Sequence, residues 1–169
     1  MDDVENIKIV ILGIGNILLG DEGIGVKVIE ELEKENLPTH VKPIDGATAG
    51  FGLLPIFEKY KNCQFLIVDA IKIINKKSEN NLYVVPLEDI YKMGEAEDME
   101  FISFHQTSIM DVLNLLYLTS NIKLKGYLFG INVCSNKKAA SNVFKFTMDL
   151  SPQTKAMISK TITSLKKYF

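Results

Sequence analysis

The sequence predicts an α/β fold: a twisted, mostly parallel five-stranded sheet with helices on both faces, in three layers. Two observations carry this prediction. Apolar, β-branched runs alternate along the chain with segments of helical periodicity. The first run, Ile7-Lys8-Ile9-Val10-Ile11-Leu12, is nearly continuous in apolar residues up to Gly13, as a strand covered on both faces requires.

The remaining elements follow in order. Val26 to Leu37 places Val26, Ile29 and Leu32 on one helical face and its Glu/Lys pairs on the other. Val41 to Ile44 is a short strand closed by the turn pair Asp45-Gly46. Gly50 to Tyr60 is helical in part, with Pro55 near its first turn. Gln64 to Val68 is a core strand ending at Asp69, and Leu82 to Val85 is a weaker strand whose pairing can be antiparallel. Residues 87–104 form a long acidic connection. Thr107 to Thr119 carries Ile109, Val112, Leu113 and Leu116 at helical spacing, and Lys125 to Asn132 is the fifth strand. Ser151-Pro152, a cap followed by proline at the first helical position, opens a last helix to Lys167.

Composition narrows the function. The chain has 169 residues, 47 % hydrophobic and 24 % charged, which fits one soluble domain over 1–169. Two cysteines, Cys63 and Cys134, make no disulfide framework. The acidic N-terminus lacks the cationic region of a signal peptide, and the apolar stretch from Ile9 to Leu19 is broken by glycines and too short to span a bilayer. A cytoplasmic protein with no membrane partner is expected. Net charge is −2, so no nucleic-acid partner is expected either. All 19 basic residues are lysine, so no arginine clamp or finger comes from this chain.

The polar residues collect at strand ends. The first strand runs into Gly13-Ile14-Gly15-Asn16, with Asp21-Glu22 ahead of the first helix; the second ends at Asp45 and the third at Asp69. In an open α/β sheet the carboxyl edge is where ligand crevices form. A single acid there is commonly a turn former. Three repel one another unless a cation or shared protons offset them. His105, before the Thr107–Thr119 helix, can face the same edge and completes a set of two carboxylates and one imidazole with Glu22 and Asp69. His40 opens the second strand, at the opposite edge, and has no assigned role.

These residues resemble the motifs of the nickel–iron hydrogenase maturation endopeptidases. Gly13-Ile14-Gly15-Asn16-Ile17-Leu18-Leu19-Gly20-Asp21-Glu22-Gly23-Ile24-Gly25 is similar to the opening motif, Asp45-Gly46-Ala47-Thr48-Ala49-Gly50 to the second and Val68-Asp69-Ala70 to the third. His105-Gln106 with Asp111-Val112-Leu113 resembles the fourth, and Leu150-Ser151-Pro152 a C-terminal signature. The departures are Ala47, where many members carry glycine, Phe104, where some carry proline, and a longer acidic stretch at Glu95–Glu100. The resemblance implies removal of a C-terminal extension from a hydrogenase large-subunit precursor after nickel insertion. It implies Glu22, Asp69 and His105 as metal-binding residues and Asp45 as an acid important for activity.

The chemistry suits a checking enzyme. A resident catalytic zinc commonly sits among nitrogen-rich ligands, and no His-Glu-x-x-His pair is present. Two carboxylates and one imidazole hold a divalent ion modestly, so the nickel is expected to arrive on thiolates of the substrate, with no tightly bound resident metal. Asp45, or Glu22 while unligated, is a candidate general base. The expected oligomeric state is monomeric. Three other readings stand beside this one. A nickel-transfer chaperone or non-proteolytic metal-binding α/β domain would bind nickel without cleavage, and a metallohydrolase would carry its own ion. A dinucleotide-binding domain is disfavoured because Leu18 replaces the third glycine and Asp21-Glu22 would face the pyrophosphate.

Overall fold

All five apolar runs form strands in the computed structural model, which describes residues 4–48, 50–73, 81–93, 101–103, 108–133 and 147–169. In chain order the strands are β1 (Ile9–Gly13), β2 (Val41–Asp45), β3 (Gln64–Ile73), β4 (Leu82–Pro86), β5 (Phe101–Ser103) and β6 (Lys125–Asn132). The helices are α1 (Ile24–Leu32), α2 (Leu54–Lys59), α3 (Leu87–Met93), α4 (Ile109–Ser120) and α5 (Pro152–Leu165). The sheet runs β2-β1-β3-β6-β4. The pairs β1–β2, β1–β3 and β3–β6 are parallel, while β4 runs antiparallel to β6. β5 is an addition to the expected five, antiparallel to the projecting end of β3.

Alternation sorts the strand residues into two cores. Val10, Leu12, Phe65 and Ile67 face α2, α3 and α4, where Phe57, Leu87 and Leu113 are buried. Ile9, Ile11, Leu66 and Val68 face α1 and α5, where Ile29, Leu32, Met157 and Leu165 are buried. Each such side chain contributes about 1.5–3 kcal/mol on burial, and every residue of β1 is buried, as its unbroken apolar run requires. At the sheet edge β2 carries Pro43, which has no N–H to offer and is tolerated on an edge strand.

Three boundaries differ from the sequence expectation. α1 stops at Leu32 instead of Leu37, because Lys34 and Glu35 donate to Glu31 O and Leu32 O in tighter i→i−3 bonds just ahead of Pro38. The stretch 87–104 is not a plain connection: Leu87, Ile90 and Tyr91 give α3 an apolar stripe among its acids, and β5 follows. β3 continues past Asp69 to Ile73 because β6 and β5 keep pairing it.

The α5 cap is the one the sequence suggests, and α4 has one that it does not suggest. Ser151 Oγ accepts the Thr154 N–H at 3.2 Å, with Pro152 in the first turn of α5. Ser108 and Asp111 exchange hydrogen bonds in a capping box at α4. At the end of α5, Lys166 pairs with Glu35 beyond α1. Cys63 is buried, as expected for an inert thiol, and its Sγ–H donates to Ile7 O at 3.1 Å.

α1 sits on the sheet through glycine. A Cβ on Gly25 would lie 2.1 Å from Ile14 O and 2.4 Å from Val68 O, both backbone atoms. One on Gly13 would meet Gly25 O at 2.3 Å. No rotamer change relieves a clash with backbone, so G25A must lift the helix. It is expected to cost about 3 kcal/mol, read as a lowered denaturant midpoint.

Burial also pushes the Cys63 thiol up from its ordinary range, and likewise the Tyr91 hydroxyl, although Tyr91 Oη accepts the Leu124 N–H. The neutral forms are therefore favoured in the folded state. Their contribution is complete below the unfolded pKa values, about 8.5 and about 10, and is lost as pH rises through the higher folded values. The urea midpoint is expected to fall as pH rises above about 8.5. C63S, whose hydroxyl can still donate to Ile7 O, should flatten the first part of that fall.

Candidate active site

Strand register brings the acids to one edge. Gly13, the last residue of β1, pairs with Asp45 on one side and Val68 on the other. Asp69 thus lies one residue beyond the end of β1, on a strand that runs on. At ordinary strand spacing the Cα atoms of Asp45 and Asp69 stand on the order of 10 Å apart. Alternation gives Asp69 the side of Phe65 and Ile67, whereas Asp45 shares its register position with Val68 on the other side.

Asp69 is fully buried, 0 % exposed, which is costly for a carboxylate outside a polar or cationic setting. Glu22 is half-buried in a 3₁₀ turn, Gly20–Gly23, that touches β3 and leads directly into α1. Gly20 takes a left-handed φ of 60°, which sets the entry to that turn. The turn is tied to the end of β1 by the Asn16 N–H, which donates to Glu22 O at 3.2 Å.

Asp45 is exposed, and its Oδ1 accepts the Ala47 N–H at 2.7 Å. This is an Asx turn, so the turn-forming role open to an Asp-Gly pair is realised. The turn is fastened to the glycine loop twice: Gly46 N–H donates to Gly13 O at 2.8 Å and Gly15 N–H to Ala47 O at 2.9 Å. Ala47, at the position where glycine is common in the resembling family, has a φ of 48°, a conformation that disfavours an L side chain.

His105 and Cys134 lie outside the described residues. His40 is at the far edge: its carbonyl accepts the Lys8 and Ile9 N–H groups where β1 begins. Among the described residues no three His, Cys, Asp or Glu side chains gather as a metal-holding group. No helix among them is long and apolar enough to cross a membrane. Sequence reasoning gave Glu22 a role and Asp21 none. In the fold Asp21 Oδ1 accepts the Ser151 N–H at 2.6 Å, a contact 130 residues apart that no local pattern announces.

A family model described as hydrogenase maturation protease matches residues 26–167. The Hydrogenase 2 maturation protease of Escherichia coli is 35 % identical over 125 residues, 73 % of this chain and 72 % of that protein. The HupD hydrogenase expression/formation protein of Rhodobacter capsulatus is 34 % identical over 107 residues, and the match spans only 48 % of its length. Among solved structures, the hydrogenase maturating endopeptidase HybD from E. coli superposes with a TM-score of 0.67 at 30 % identity, covering 94 % of this chain and 90 % of the other. A maturation protease from Thermococcus kodakarensis, at 23 % identity, a TM-score of 0.69 and coverage of 96 % and 99 %, shares the fold.

The Asx turn can be tested apart from any chemistry. D45A removes the acceptor for the Ala47 N–H and is expected to cost about 1 kcal/mol. D45N retains an acceptor oxygen and should unfold near the wild-type midpoint.

Proposed function

The chain belongs to the hydrogenase maturation protease family, and from that premise we propose that it removes a C-terminal extension from a nickel–iron hydrogenase large-subunit precursor once nickel is inserted. The observation that carries this reading is the placement of Asp69: a wholly buried carboxylate on the strand against which the Glu22 turn packs. A second observation supports it. β5 delivers the chain to Ser103, two residues before His105, opposite Ile71, two residues after Asp69.

In this reading the nickel is part of the substrate. It comes held by thiolates of the precursor, and Glu22, Asp69 and His105 supply the remaining coordination positions. Two hard oxygen ligands and one imidazole favour transient contact over tight residence. An unloaded precursor then lacks the contact that fixes the scissile bond, and cleavage reports loading. Asp45 is the proposed general base. Its Oδ1 is committed to the Ala47 N–H, so proton abstraction from water falls to Oδ2, with Glu22 as the alternative base while it is unligated.

The deciding experiment mixes the purified protein with nickel-loaded and nickel-free precursor and follows the mass of the large subunit. Only the loaded form should shorten. E22Q, D69N and H105A should each slow cleavage about 100-fold or more, with D69N chosen because an isosteric amide fits a fully buried site. D45N should slow it by about 10²–10⁴ while leaving precursor binding intact. Equal cleavage of both precursor forms, or full activity in D69N, would sink the metal-checking reading. Stable nickel binding without any cleavage would point to a transfer chaperone instead.

A further inference from the structure

Two adjacent acids sit in the turn after β1, and the fold treats them differently. Asp21 Oδ1 accepts the backbone N–H of Ser151, the N-cap of α5, at 2.6 Å in a part-buried contact. The carboxylate also meets the positive end of a 14-residue helix. Two backbone bonds run alongside: Gly20 N–H donates to Thr147 O at 2.7 Å, and Thr147 N–H donates to Leu18 O at 3.1 Å. Leu19 and Thr147 form a parallel bridge. The outer side of the Glu22 turn is thereby fastened to residues 147–151, and its inner side to Asn16.

The turn needs these anchors. Inside it, the Glu22 N–H reaches Leu19 O at a long 3.4 Å, and the Ile24 N–H closes on Asp21 O. Gly20, with its left-handed φ, adds conformational freedom immediately before the acids. We infer that Asp21 is a positioning residue, which fixes Glu22 by clamping its turn to the N-terminus of α5. The inference rests on the reading above in one respect, that Glu22 contacts the ion carried by the precursor. Asp21 Oδ1 is committed to the Ser151 N–H, and the residue acts on the reaction through Glu22.

Hydrogen exchange and turnover, measured on D21A, D21N and E22Q of the full chain, test the inference. In D21A the amides of residues 18–23 and 147–151 should exchange at least about 10-fold faster. Cleavage of nickel-loaded precursor should fall in kcat by about 10²-fold, as small misplacements of a reacting group do, with KM little changed. D21N keeps an acceptor for the Ser151 N–H and should restore both readouts to within about threefold. Unchanged exchange in D21A overturns the clamp. A D21N variant as inactive as D21A while its amide exchange is restored also overturns it, because the charge would then be acting directly. If E22Q is inactive while D21A turns over normally, the positioning role fails alone. If E22Q is fully active, the metal contact of Glu22 fails, and D21A exchange still decides whether the clamp exists.

Discussion

The acidic edge depends on how closely the N-terminus of α1 approaches the sheet. Gly25 lies against the carbonyl oxygens of Ile14 and Val68, so the helix begins directly above the ends of β1 and β3. The turn carrying Glu22 is the last piece of chain before that helix and has no independent height. Were the helix to sit one methyl group further out, Glu22 would move away from β3 and Asp69 with it. The tight packing of protein interiors makes such a seat stiff. The glycine-rich opening motif is thus explained chiefly by steric clearance: of Gly13, Gly15, Gly20, Gly23 and Gly25, only Gly20 has a positive φ.

Register then divides the acids between two tasks. β1 ends at Gly13, but β3 runs on to Ile73 with pairing on both sides, leaving Asp69 on a step beyond its neighbour. Such a residue has the rigidity of a strand, and its carboxylate is wholly enclosed. Asp45 differs in both respects. It closes an edge strand, is exposed, and spends one oxygen on its own turn. One carboxylate is buried in the ladder and the other is exposed in a turn.

Much of this was legible from the residues. The strands could be read because Ile9–Leu12 and Phe65–Val68 are apolar on both faces, and α5 because Ser151-Pro152 is a strong local start. The strand-end acids were legible as a group for the same reason: once the strands are placed, parallel register puts Asp45 and Asp69 at one edge. What stayed hidden was non-local or masked by composition. The acids Glu88 and Asp89 obscured the Leu87, Ile90 and Tyr91 stripe of α3. β5 has three residues and forms only because β3 overshoots, and nothing near Asp69 in sequence says that its strand continues. The Asp21–Ser151 contact joins segments 130 residues apart, and no local pattern announces it.

Pro43 has a consequence for the outside of the molecule. β2 borders the sheet, and an exposed border invites any extended chain to zip onto it. At its midpoint this border presents a ring where a donor would be, so a continuous ladder of backbone bonds cannot form there. A flexible polypeptide tail approaching from that flank finds no template to join. The same ring interrupts any backbone ladder a second β2 could offer.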